Sequence, residues 1–342
     1  MKNILVSIGA FVIFIILLPV IFLFSAKDGT LKSPDGFKLS EQDKIFNKKV
    51  EGEPTINIYM SDEKKVIKLN LEDYVRGVVA GEMPVNFSYE AIKAQAVAAR
   101  TYAVAHMEEF GGSMYNKKIG ANLTDTTANQ VYLTKEERYS SWPKNKADEY
   151  WNKITKAVEE TKLEVLTYDG KLVMAPYYFS TSGGKTENAV DVFGKDIPYL
   201  RSVESSGEQI ASRYTSTKKY SYSDFINIIN KNYKGASLTT KNIKSSVKVL
   251  QRSDGGGVMK IKIGSITLTG RDVRTIFGLN STDFTIELNG SAVFNCIGYG
   301  HRVGMSQWGA DVMALDGKNY KVILKHYYTG VNIDKLDIFI KG

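Results

Sequence analysis

The chain has 342 residues, 43% hydrophobic and 24% charged, a globular balance that excludes disorder, collagen or coiled coil as a description of the whole. One cysteine, Cys296, excludes an internal disulfide and a cysteine-based zinc cluster, and three histidines (His106, His301, His326) leave metal chemistry few ligands. Lys and Arg outnumber Asp and Glu by 45 to 37, and the resulting +8 is scattered, which fits either a solvated basic surface or an anionic polymer as partner.

No charge occurs between Asn3 and Ala26. A helix of about 20 apolar residues spans a bilayer core of about 30 Å, and Phe24-Ser25-Ala26 is a poor cleavage site, so 1–26 reads as an uncleaved transmembrane anchor. Lys2 before it and Lys27 and Lys32 after it leave orientation open. Residues 27–54, with Pro34, Gly36, Gly52 and Pro54, read as a linker. A single globular domain is expected over 55–342.

Asn70 is a helix N-cap with Asp73 at the capping-box position, and Leu71, Tyr74, Val75, Val78 and Val79 follow at helical spacing up to Gly81 and Pro84. An alanine-rich helix is expected over about 88–109 and a third over 145–160. LEVLTY and KLVMAPYYF flank Asp169-Gly170, a hairpin signal, and lead into the loop STSGGKTEN. A submodule over about 206–290 contains a helix capped by Ser223, strands VKVLQRS, VMKIKIG and SITLTG, a helix over 272–277, and a hairpin across Asn289-Gly290. Helices return near 305–315 and 320–328. Helices and strands mix without βαβ alternation, which predicts an α+β fold: a mixed helix/strand core with a smaller inserted or appended α/β module forming a cleft.

Four features carry candidate chemistry. Glu82, between Gly81 and Pro84 with Val79, Met83, Val85 and Phe87 around it, is either a general acid whose pKa is raised by apolar neighbours or a helix-terminal surface glutamate. Arg100, mid-helix among alanines, either grips an anion (Glu82 or a substrate carboxylate) or snorkels to solvent. In GYGHRVGMSQWG, residues 298–309, His301, Ser306, Gln307 and Trp308 either converge on a sugar or form a tight turn into a helix. In STSGGKTE, Ser180, Ser182, Lys185 and backbone donors either hold an acetamido or carboxyl group or form a loop alone. Gln95 and Tyr102 join Arg100, His301 and Gln307 as candidates for orienting Glu82 or the sugar. Neither Ser180 nor Ser306 lies in G-x-S-x-G, and Cys296 falls in an apparent strand, which disfavours serine and thiol nucleophiles.

Four blocks in order, VVAGEMPVNFSYEAIKAQAVAARTYA, YFSTSGGKTEN, GRDVRTIFGLNSTDF and GHRVGMSQWGA, resemble the stage II sporulation protein D family of endospore-forming bacteria. The resemblance runs from about Tyr59 to the C-terminus and includes the anchor. It implies a single-pass membrane protein whose exocytoplasmic domain is a lytic transglycosylase of peptidoglycan glycan strands, acting at the septum during forespore engulfment with the stage II sporulation proteins P and M. It places the catalytic acid on Glu82, the family's helix arginine on Arg100 and its motif histidine on His301. Two departures stand out. Arg302 replaces a frequent glycine, and residues 121–132 lack the His/Cys ligands of a zinc segment carried by some relatives, so neither zinc nor any other cofactor is expected.

The implied reaction needs one carboxyl. Glu82 protonates the oxygen between N-acetylmuramic acid and N-acetylglucosamine, then takes the proton of the muramoyl 6-hydroxyl as it closes on C1 to a 1,6-anhydro product. The rival reading is a glycan-binding scaffold that activates a cell-wall amidase without cutting. Dispersed charge and the absence of a binding motif argue against nucleic acid.

Overall fold

The computed structural model describes residues 50–336 and 338–339. The expected anchor and most of the linker lie outside them, and among the described residues no helix is long and apolar enough to cross a membrane. The architecture is α+β, and its apolar side chains gather into two clusters.

The larger cluster starts from a hairpin of β1 (Thr55–Met60) and β2 (Lys65–Asn70), which buries Ile56, Ile58 and Met60 by strand alternation. Helix α1 (Leu71–Glu82) follows at once. Asn70 is its N-cap, but the expected capping box is absent: the Asn70 side chain makes no cap bond, and Asp73 pairs with Arg76. Helix α2 (Tyr89–Val104) buries thirteen of its sixteen residues. A helix apolar on all sides belongs at the centre, and its alanines let α1 and the later helices α4 (Ala147–Glu160), α8 (Gln307–Leu315) and α9 (Tyr320–Tyr327) pack around it. It stops short of the expected end: His106 Nδ1 bonds the Tyr102 carbonyl at 2.8 Å, and Gly112 folds back onto the Ala105 carbonyl, where a Cβ would clash at 2.2 Å.

The 105–134 segment adds β3 (Leu123–Thr124) in parallel to β1. Helix α3 (Lys135–Ser141) was not expected, although Thr134 and Glu137 form the capping box that announces it. Strand β4 (Glu164–Tyr168) turns through Asp169 (φ 50°) and Gly170 (φ 71°) into β5 (Lys171–Leu172), the hairpin the sequence suggests. Then come β6 (Tyr178–Phe179), β7 (Gly184–Lys185), the short helix α5 (Ala189–Phe193) and β8 (Glu204–Ser205), which pairs with β7.

The second cluster is built from β9 (Thr215–Ser221), α6 (Tyr222–Asn232), β10 (Val247–Arg252), β11 (Val258–Ile263), β12 (Ile266–Leu268), α7 (Gly270–Ile276), β13 (Phe284–Leu288) and β14 (Ser291–Ile297). They form two three-stranded antiparallel sheets, β9-β14-β13 and β10-β11-β12. Phe225 stacks on Phe277 at 5.0 Å, and Phe294 lies 4.9 Å from Phe277. The cap of α6 is Ser221, which accepts from the Asp224 N–H, and not Ser223. Cys296 is buried in this cluster.

After β14 the chain re-enters the first cluster. Residues 298–304 lead to β15 (Met305–Ser306), which pairs in parallel with β6, Met305 opposite Tyr178. Thr181 bridges Tyr299 and Glu187 bridges Val303, so the STSGGKTE and GYGHRVGMSQW motifs run side by side. Strand β16 (Asn332–Lys335) closes against β4.

Candidate active site

Glu82 is the last residue of α1, and two glycines one turn apart make its environment. A Cβ on Gly81 would lie 2.7 Å from the Val131 carbonyl, and one on Gly77 would lie 2.2 Å from the Tyr132 ring. Without those side chains the 130–133 segment packs directly on the helix. Tyr132 stacks on Tyr74 at 5.6 Å, and the Val131 N–H donates to Glu82 Oε1 at 2.7 Å. The carboxyl is half-buried. Desolvation pushes its pKa up to about 7, against the pull of the Val131 N–H, and no other carboxylate contributes. Near neutral pH it is therefore protonated about half the time, the balance that general acid–base work requires.

The loop after Glu82 is clamped from two sides. Lys153 Nζ on α4 donates to the carbonyls of Val85 (2.9 Å) and Phe87 (2.6 Å), and the Ser88 N–H donates to Asp311 Oδ1 on α8 at 2.6 Å. Gln307, the first residue of α8, donates from Nε2 to the Glu82 carbonyl (3.1 Å) and reaches Gln95 Oε1 (3.5 Å). Gln95 is fully buried, and its Nε2 has no hydrogen-bond partner among the described residues. Trp308 sets its edge against Phe87, centroids 4.7 Å apart. Gln95, Gln307 and Trp308 are thus brought to the Glu82 hinge.

Tyr102 meets the residue two before Val131: its hydroxyl accepts from Asn129 Nδ2 at 3.2 Å. The Tyr178 and Tyr74 hydroxyls and the 130–133 segment were not foreseen as neighbours. The Tyr178 hydroxyl is kept protonated by burial and by the Glu82 charge; Tyr74 is held likewise and donates to Gln130 Oε1 at 3.2 Å. The Gly77–Gly81 spacing in a helix was the available signal for the 130–133 segment. Segment 121–132 is knitted by amide and carboxylate bonds: Asn122 Oδ1 accepts from the Asn57 N–H at 2.9 Å, and Asp125 accepts from the Ser61 hydroxyl at 2.7 Å. Among the described residues no group of three His, Cys, Asp or Glu side chains converges as metal ligands do.

Several candidates are placed elsewhere. Arg100 does not face Glu82. It is fully buried and holds Glu72 in a two-pronged pair (Nε–Oε1 2.9 Å, Nη2–Oε2 2.7 Å), with the Glu164 and Val158 carbonyls at 3.1 and 3.2 Å. Glu72 lies at the start of α1 and Glu82 at its end, about 15 Å apart at 1.5 Å per residue. A pocket of about 170 Å³ opens at that far end, walled by Glu72, Arg76, Glu159 and Lys162, and does not touch Glu82.

Ser182 and Ser306 turn their hydroxyls to the protein itself. Both donate at 2.7 Å to the buried carboxylate of Glu208, which also accepts from Thr181 (2.6 Å) and Ser205. Gly309 makes room for this knot, since a Cβ there would meet the Tyr327 hydroxyl at 2.0 Å. Ser180 supplies its carbonyl to the Trp308 N–H at 3.1 Å, and Lys185 lies 3.8 Å from Glu204 across β7 and β8. His301 is set among the Tyr177, Phe179 and Phe193 rings (6.0, 5.7 and 5.6 Å). Successive side chains of β6 point to opposite faces: Tyr178 faces Glu82, while Tyr177 and Phe179 face His301. Burial and the nearby Arg274 push the imidazole down to about 3, and its Nδ1 accepts from the Val303 N–H at 3.1 Å, so it is a neutral packing group away from the acid.

Arg302 adopts φ +66°, the left-handed conformation a glycine takes without strain. Its guanidinium is fully buried at the seam between the clusters. It bonds the Gly255 carbonyl and lies 3.4 Å from both Glu187 and Asp283. The departure at this position thus charges the seam and leaves the Glu82 hinge untouched.

The fold and site define a mixed α+β protein with one desolvated carboxyl at a helix hinge. The family model described as Stage II sporulation protein matches residues 59–168. The chain is 36% identical to stage II sporulation protein D of Bacillus amyloliquefaciens over 99% of its own length and 98% of that protein. It is 38% identical to stage II sporulation protein D of Bacillus subtilis over 84% and 80%. It is also 32% identical to the amidase enhancer of Bacillus subtilis over 76% of this chain and 40% of that protein. The chain belongs to the stage II sporulation protein D family.

Proposed function

We propose that the protein is a peptidoglycan lytic transglycosylase of sporulation and that Glu82 is its acid and base. The observation that carries this reading is the half-buried Glu82 carboxyl with its pKa pushed up to about 7 by desolvation, a shift to which no other carboxylate among the described residues contributes. Hydrolytic glycosidases ordinarily pair two carboxyls, about 5–10 Å apart. A reaction whose nucleophile is the sugar's own 6-hydroxyl needs only one. Protonated Glu82 gives its proton to the leaving glycosidic oxygen as the C1–O bond breaks. The carboxylate then accepts the proton of the 6-hydroxyl as its oxygen bonds C1. The Val131 N–H steadies the ionised form between the two steps, while Gln307 and Gln95 fix the hinge. In this reading the domain works outside the membrane on septal glycan, anchored by 1–26, alongside the stage II sporulation proteins P and M.

The test is mass spectrometry of purified glycan strands incubated with the protein. Wild type is expected to release 1,6-anhydro products and Glu82→Gln to lose about 10²–10⁴-fold of the rate. Undiminished anhydro products from Glu82→Gln would remove Glu82 as the acid.

The similarity to an amidase enhancer favours a second reading, a glycan-gripping activator of an amidase. It predicts amidase stimulation that survives Glu82→Ala.

A further inference from the structure

The GRDVRTIFGLN stretch has no part in the chemistry above, yet it brings two arginines to the Gly298–His301 loop, and a third approaches from β9's side. Arg271 and Arg274 lie three residues apart on α7. Arg271 Nη1 donates to the Val192 carbonyl at 3.1 Å, and the next residue, Phe193, packs on His301. Arg274 Nε donates to the Leu279 carbonyl at 3.3 Å, and the following Asn280 carbonyl accepts from the Gly300 N–H at 3.0 Å. The Arg213 guanidinium lies 5.3 Å from the centre of the Tyr299 ring.

None of the three forms an ion pair among the described residues. The nearby acids are engaged. Asp272 accepts from Thr269 N–H and hydroxyl at the start of α7, and Asp283 is shared by Arg252 and Arg302. His301 is neutral and brings no charge of its own. A guanidinium carries five donors, and the hydrogen bonds found here use one on Arg271 and one on Arg274. Burial and mutual repulsion disfavour the charge on Arg274. Asp272 offsets part of the Arg271 charge through space, but no carboxylate does so for Arg274, and a partly buried positive charge of that kind is unfavourable until an anion arrives.

We infer that Arg271 and Arg274, with Arg213 at the rim, form a second site, across β6 from Glu82, that binds a carboxylate of the glycan strand. The inference rests on the glycan reading above. Two carboxylates are chemically available: the lactyl group of a muramoyl residue freed of its peptide, and the acidic groups of a retained stem peptide. The planar guanidinium suits either through paired N–H···O bonds.

The test is a binding titration of the intact chain in the Glu82→Gln background, so that strands are not consumed. The probes are peptide-free strands, the same strands with their carboxyls amidated by methylamine, and peptide-bearing strands. The unmodified arginines are expected to prefer the peptide-free over the amidated strands by about tenfold. Arg271→Gln and Arg274→Gln are expected to bind both at the amidated level, and Arg274→Lys to keep part of the preference. Peptide-bearing strands that bind tightly and lose affinity in the arginine variants assign the carboxylate to the peptide; binding at the amidated level assigns it to the lactyl group. Indifference to amidation together with peptide-bearing strands that bind the arginine variants as well as the unmodified chain, or equal losses by the glutamine variants on both peptide-free forms, would overturn the site and leave the arginines as seam residues. Failure of every strand to bind would overturn the glycan reading and this inference with it.

Discussion

At the residue scale the account depends on the proton affinity of one carboxyl. A general acid with a pKa of about 7 loses its working form as pH rises, so cleavage by the wild type is expected to fall tenfold per unit above about pH 7. A rate profile flat to pH 9 would contradict this. The same shift has a stability consequence. A carboxyl whose folded pKa lies above its ordinary 4.5 binds protons more tightly in the native state, so its contribution declines as pH rises from about 4.5 to about 7. Glu82→Gln removes that penalty. In urea titrations the variant is expected to gain up to about 3 kcal/mol over wild type at pH 8 relative to pH 4. Equal stability differences at both pH values would mean that the carboxyl is not desolvated.

At the element scale the 130–133 segment and α1 act together. Gly81→Ala places a methyl against the Val131 carbonyl and lifts the N–H from Glu82 Oε1. Because that bond lowers the pKa, its loss is expected to move the alkaline limb of the rate profile to higher pH, while the displaced hinge slows cleavage roughly 10–100-fold. An unchanged profile would show that Val131 does not tune the acid. The elements that local pattern determines were legible: the Asp169-Gly170 and Asn289-Gly290 hairpins, the alanine-rich α2, and the hinge at Glu82 between Gly81 and Pro84. What escaped was set by distant partners. Arg100 chose Glu72 over Glu82, and no pattern within α2 distinguishes the two. Ser182 and Ser306 looked like ligand groups because polar residues in glycine-rich loops often are. Their partner, Glu208, lies in a stretch with no motif. The end of α2 at Val104 followed from the return of Gly112.

At the scale of the whole molecule, two buried polar knots hold the segments in place. Glu208 ties β7's approach, β8 and the start of α8 through hydroxyl donors. Glu208→Ala leaves those hydroxyls without their acceptor and is expected to cost more than about 3 kcal/mol in urea titrations, while Glu208→Gln, which keeps an acceptor oxygen, costs less. Arg302 joins Glu187 and Asp283 across the seam. Arg302→Gly relieves about 1 kcal/mol of left-handed strain but takes the cation from buried Glu187 and leaves half-buried Asp283 to Arg252 alone, so a net loss of about 2–4 kcal/mol is expected. A stabilised variant would show that strain outweighs the ion network.

The central claim is tested most directly by following the Glu82 side-chain carboxyl by carbon-13 NMR across a pH titration, with Glu82→Gln to assign the signal. The account predicts a midpoint near 7. A midpoint near the ordinary 4.5 would show the group ionised at working pH and unfit to donate a proton.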